Sequence, residues 1–201
     1  MAQGIELGGD GTHDGDDDTL AQLRVDRFQR VWQPEWNERL KALAMSRHAA
    51  MALASIVEKE ARVPEERPVI AAVYLNRLRA GMLLQADPTV QYALGKHVAR
   101  VLYKELEVES PYNTYKHTGL PPGPIASPGK PSILAALNPA NVPYTYFVAH
   151  PDGHHEFTTN FAAHSVAVRG ARREWDSVAA LRKDTMRPSA TPPAPAPASR
   201  R

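Results

Sequence analysis

The sequence predicts an α+β domain, a two-layer arrangement in which helices pack on one side of a small antiparallel sheet. Three observations predict it. Long stretches rich in Ala, Leu, Lys and Glu, free of Gly and Pro, read as helices. A single pair of aromatic and β-branched runs flanks a Pro-Asp-Gly turn and reads as a hairpin. The elements are short and sharply punctuated, and no internal repeat is visible.

Taken in order, residues 1–18 form an acidic leader rich in Gly and Asp, expected to be disordered. A single folded domain is expected over 19–186, and a disordered tail over 187–201, where Pro and Ala alternate. Within the domain, Asn37 to Arg62 reads as one long helix and Pro64 to Ala80 as a second, with Pro early and Gly81 just past its end. A short third helix should start at Asp87-Pro88, Asp as N-cap and Pro at the first turn, and stop at Gly95. Ser110 to Gly129 is too dense in Pro, Gly, Asn and Tyr for regular structure. A brief helix over Ser132–Leu137 stops at Pro139, and Tyr144–Ala149 is a strand paired through Pro151-Asp152-Gly153 with His155–Thr158. Asn160 to Lys183 is the last helix.

Composition narrows the function. With 201 residues and 43% apolar side chains the chain can bury a core. No run approaches the roughly 18 apolar residues of a membrane span, and no basic-then-apolar secretory signal opens the chain. Cysteine is absent, which removes disulfides, Cys-zinc sites and thiol nucleophiles. The net charge of +2 hides an asymmetry: residues 1–18 hold six of the 22 acids and no Lys or Arg, leaving 24 basic against 16 acidic side chains. A basic body favours an anionic polymer or surface, but no Arg/aromatic stripe suggests nucleic acid. Asp14, Asp16 and Asp18 alternate like the start of a calcium loop, yet Thr19 stands where that loop needs Gly. His150, His154, His155 and His164 lack an HExxH pattern, and adjacent His154 and His155 on a hairpin point to opposite faces. Neither a metal nor a cofactor is expected. No nucleophile elbow or P-loop occurs, so serine hydrolases and NTPases have no support.

One carboxylate is out of place. At the end of the first helix, Leu53, Ile56, Val57 and Glu60 share one stripe. Glu58 lies on the far side and can pair with Arg62 at i,i+4. Glu60 is therefore either a structural acid held by an Arg such as Arg77 or by tyrosine hydroxyls, or a general acid whose pKa is raised by burial. A wall for a binding groove is expected from the loop Ser110-Pro111-Tyr112-Asn113-Thr114-Tyr115, continued by Gly119 to Gly129. Its aromatic faces and amides suit sugar rings and N-acetyl groups. Gln85 and Asp87, just before a helix, are further polar candidates, although capping alone explains Asp87.

These residues fall within longer strings: Ala54-Ser55-Ile56-Val57-Glu58-Lys59-Glu60, Tyr74-Leu75-Asn76-Arg77-Leu78, Leu84-Gln85-Ala86-Asp87-Pro88-Thr89-Val90 after Gly81-Met82, Ser110 to Tyr115, Gly119-Leu120-Pro121-Pro122-Gly123-Pro124-Ile125 and Pro143-Tyr144-Thr145-Tyr146-Phe147-Val148. His155-Glu156-Phe157, Thr159-Asn160 and His164 complete the set. From Ala54 to Val168 the chain resembles the endolytic murein transglycosylases, the MltG/YceG-like proteins.

The resemblance implies that Glu60, the second Glu of Glu-Lys-Glu, is catalytic. It implies cleavage of the β-1,4 bond between N-acetylmuramic acid and N-acetylglucosamine in nascent strands, leaving 1,6-anhydro ends and terminating elongation. Gln85, Asp87, Tyr112, Asn113 and Tyr115 would bind the sugar. Peptidoglycan strands are the implied partner, with cell-wall synthases beside them, at the outer face of the cytoplasmic membrane in the cell envelope. Family members carry an N-terminal transmembrane helix and a LysM-like region, neither of which this sequence shows, so it reads as a fragment or an unusual soluble form. Two further readings stand beside the lyase: a non-catalytic peptidoglycan-binding module, and a muramidase using Asp87 as second carboxylate.

Overall fold

The computed structural model describes residues 32–96 and 101–185, with Thr19, Asp26 and Gln29; side chains are described as far as Leu181. The acidic leader and the Pro/Ala tail lie outside the described residues. Among the residues described from 32 onward, six helices pack against one two-stranded antiparallel sheet, an α+β fold as the sequence predicts.

The expected first helix is two. Helix α1 runs Glu35–Ala42 and helix α2 Arg47–Glu60. Between them Ala44 takes φ 51°, and Ser46 Oγ accepts a hydrogen bond from Ala49 N at 3.0 Å, capping α2. A serine that caps a new helix start satisfies a backbone donor that a continuous helix would not leave free, so the chain turns here. Trp36 and Leu40 bring α1 onto the core.

Ala50 and every residue from Ala52 to Val57 are buried, so α2 is enclosed on nearly all sides. Its small residues let neighbours approach closely. After the 3-10 turn Pro64–Glu66, helix α3 (Arg67–Arg79) buries Ile70 to Leu75. It stops at Gly81, where φ is +65° and the Met82 amide reaches back to the Arg77 carbonyl. Helix α4 (Asp87–Ala93) and helix α5 (Lys130–Leu137) pack against α2, and α5 also against α3.

Strands β1 (Tyr146–Ala149) and β2 (His155–Thr158) pair with Phe147 opposite Phe157 and Ala149 opposite His155. The strand begins two residues later than expected. The Tyr144 and Thr145 carbonyls are taken by Asn76 Nδ2 and Arg77 Nε of α3, which anchors that segment to a helix. Helix α6 (Phe161–Thr185) is capped by Asn160, whose Oδ1 accepts from Ala163 N, and lies across the hairpin with Ala167 and Ala171 buried. No helix among the described residues is long and apolar enough to cross a membrane.

Candidate active site

Glu60 is the last residue of α2, at the point where the apolar stripe of Leu53, Ile56 and Val57 runs out into a cleft of about 430 Å³. Its lining carries the acids Glu60 and Asp87 and the cations Lys59, Arg62 and Lys96. Tyr92 and Ile125 supply apolar surface.

Protein surrounds the Glu60 carboxyl except where it meets the cleft. Its Oε1 accepts a hydrogen bond from the Tyr74 hydroxyl at 2.7 Å. No cation among the described residues comes within salt-bridge distance of it. Arg77, the Arg expected to hold it if it were structural, is committed elsewhere: Nε donates to Thr145 O at 2.6 Å and one terminal nitrogen to Leu84 O at 2.7 Å. Burial raises the Glu60 pKa from 4.5 to about 7. The Tyr74 hydrogen bond opposes that rise, the Asp87 charge adds to it and the Arg77 charge subtracts. Tyr74, sealed in the core and facing Glu60, has its own pKa pushed well above the usual 10 and remains a donor. The site thus holds a carboxyl that shares protonated and ionised forms near neutral pH, the property required of a group that must give and take a proton.

The other sequence candidates separate into two sets. Asp87 lines the cleft, but its side chain makes no helix cap; Oδ1 accepts from the Tyr115 hydroxyl at 2.5 Å. Tyr115 is thereby tied to the site, and burial, joined by the Asp87 charge and hydrogen bond, drives its pKa upward. Tyr112 packs on Tyr92 of the cleft lining, ring centres 4.7 Å apart. Gln85 is exposed and holds φ +50°, a left-handed conformation that costs a non-glycine residue of order 1 kcal/mol or more.

Asn113 faces inward. It is fully buried, Nδ2 donates to the Leu106 and Val108 carbonyls at 2.8 and 2.9 Å, and Oδ1 accepts from Tyr115 N. With all three bonds internal, its role in this geometry is to fold the loop that presents Tyr115. An Asn113→Ala protein is expected to lose about 2–3 kcal/mol in urea unfolding, since two part-buried carbonyls lose their donor. Unchanged stability would contradict that role.

Three anchors escaped the sequence reading. Ser55, buried in α2, accepts from Ile125 N at 2.9 Å and fixes the proline-rich loop on the helix. Thr89 and Thr114, both buried, bond to each other at 2.8 Å and to the Ala86 backbone, bolting the loop to the start of α4. Glu58 does not pair with Arg62. Its Oε2 accepts from Ser132 Oγ at 2.6 Å and Gly129 N at 3.2 Å, at the N-terminus of α5, where a negative charge meets unpaired amides. His155 also lines the cleft, its ring bonded to Glu66. Tyr74 carried one readable signal: a tyrosine on a buried helix face needs a partner for its hydroxyl.

The chain is similar to known proteins over this same region. The model of the YceG-like family matches residues 11–170. A Bacillus subtilis protein named endolytic murein transglycosylase is 48% identical over 132 residues, covering 66% of this chain and 37% of that protein. A Streptococcus pneumoniae protein of the same name is 36% identical over 115 residues, covering 55% of this chain and 21% of the relative. The chain thus spans well under half the length of these relatives. A crystal structure of a yceG-like protein from Listeria monocytogenes superposes with TM-score 0.62 at 46% identity, covering 65% of this chain and 43% of that one.

Proposed function

The chain belongs to the YceG-like family, and on that premise we propose that residues 19–186 form the catalytic domain of an endolytic peptidoglycan lytic transglycosylase with Glu60 as its acid/base. The observation that carries the proposal is the Glu60 carboxyl, free of any salt bridge among the described residues, poised near neutrality and open to a cleft. The names of the Bacillus and Streptococcus relatives support the same reading.

In the proposed reaction Glu60, protonated, gives its proton to the oxygen linking N-acetylmuramic acid to N-acetylglucosamine. The bond from the muramyl anomeric carbon to that oxygen breaks. The muramyl 6-hydroxyl closes on the same carbon, and Glu60, now a carboxylate, takes the hydroxyl proton. Because the nucleophile belongs to the same sugar, its effective concentration is very high and no second carboxylate is needed. Tyr74 steadies the ionised form, and Asp87 contributes negative potential beside the developing oxocarbenium charge. No cofactor enters. Strand termination, work beside cell-wall synthases and a position at the outer face of the cytoplasmic membrane belong to this proposal too.

Mass spectrometry of the products from uncross-linked glycan strands tests it. Strands with new 1,6-anhydro ends are expected. Reducing ends would instead favour a hydrolase in which Asp87 activates water, and intact strands would favour a binding module.

A further inference from the structure

Across the cleft wall, Glu66 and His155 make a contact that the proposed proton transfer does not use. Glu66 Oε1 accepts the His155 backbone N–H at 3.0 Å, and Oε2 lies 2.6 Å from Nδ1 of the same residue. The pair is almost closed off, the side chains 3% and 13% exposed. The imidazole is also packed edge-to-face against Phe147, ring centres 5.2 Å apart, and Phe147 in turn against Tyr74, the residue that holds Glu60. His155 therefore has one orientation. A carboxylate only accepts, so Nδ1 carries the proton given to Glu66, and in the neutral ring Nε2 is left as an acceptor. Nε2 has no hydrogen-bond partner among the described residues and is not one of the sealed polar atoms, while His155 lines the cleft. Two bonds and a ring contact thus hold the imidazole, its Nε2 unpartnered among the described residues, in the wall of the cleft that contains Glu60.

We propose that His155 is a substrate-positioning residue, its Nε2 accepting a hydrogen bond from a hydroxyl or acetamido N–H of the amino-sugar strand, with Glu66 fixing the required tautomer. The inference rests on the cleft being the glycan site. Glu66→Gln isolates the tautomer: the Gln oxygen still accepts the His155 amide, but its NH₂ now faces Nδ1, which must become the acceptor. The proton moves to Nε2 and the strand meets a donor where it needs an acceptor. For both Glu66→Gln and His155→Gln the KM for uncross-linked glycan strands is expected to rise about tenfold, the worth of one lost hydrogen bond, with kcat nearly unchanged. A fall in kcat at constant KM would overturn the assignment.

A second measurement needs no turnover. In the ¹⁵N-histidine-labelled full chain carrying Glu60→Gln, the Nε2 resonance, assigned by its loss in His155→Gln, should be acceptor-type and move on adding soluble uncross-linked glycan strands. Movement there without anhydro products from the wild type would keep the positioning role and sink the lyase reading. Strands that bind, as read from other resonances, while Nε2 stays still would overturn the positioning role alone. No response anywhere would overturn both.

Discussion

A Glu60→Gln protein is expected to cut no glycan strand at a measurable rate while melting at a higher temperature than the wild type above neutral pH. Glutamine can keep the hydrogen bond from Tyr74, so the fold should stand. It cannot donate and recover a proton, and loss of a lone acid/base group costs at least about 10²–10⁴-fold. The stability effect follows from the raised pKa. A carboxyl that moves from 4.5 unfolded to about 7 folded binds its proton more tightly in the fold. Its stabilising contribution is complete below pH 4.5 and is lost as pH rises through about 7. The full span corresponds to about 3 kcal/mol on the ionised form, less what solvent in the open cleft screens. At pH 8 the variant should gain a few °C, at about 2–4 °C per kcal/mol for a chain of this size. At pH 4 the two proteins should melt together. An inactive variant with no pH-dependent stabilisation would mean that Glu60 is not held under strain. A variant retaining a tenth of the activity would mean that another group handles the proton.

That strain was readable from the sequence because it depends on period alone: a carboxylate at the end of the Leu53, Ile56, Val57 stripe must meet the core wherever the helix packs. Features set by distant partners were not readable. Glu58 finds Ser132 and Gly129 more than 70 residues on, closer than the local Arg62 that helical spacing offered. The polar Asn113 could equally have faced a sugar or its own loop, and only the Leu106 and Val108 carbonyls within reach of its Nδ2 in the folded loop turn it inward. The break before α2 was hidden for another reason. Ala44 adopts a positive φ without the glycine that would have announced it, and Ser46 within an alanine-rich stretch reads as helix until the turn that makes it a cap is seen. The hairpin and the helices were legible since turn residues and apolar runs specify them locally. The residues that tune Glu60, namely Tyr74 and Asp87, are legible only as individual helix positions, not as neighbours.

Those two residues should move the pH profile of strand cleavage in opposite directions. The wild type works from protonated Glu60, so activity should fall on the alkaline side with a midpoint near the Glu60 pKa of about 7. Tyr74 donates to the carboxylate and so favours ionisation. Tyr74→Phe removes that donor while filling the same core space, and the midpoint should climb by about one pH unit, the worth of one hydrogen bond to a charged group. Turnover at pH 6 should also drop about tenfold, because the carboxylate left after proton donation loses its partner. Asp87 has the reverse influence: its negative charge opposes ionisation of Glu60. Asp87→Asn should therefore draw the alkaline limb downward, by less than Tyr74→Phe raises it, since the hydrogen bond outranks that charge among the causes of the shift. A generic loss of folding would lower both profiles without moving either midpoint. Opposite displacements can arise only if one titrating carboxyl, lying between a tyrosine donor and an aspartate, controls the rate. Limbs that shift together, or stay fixed in both variants, would assign the pH dependence to a group other than Glu60.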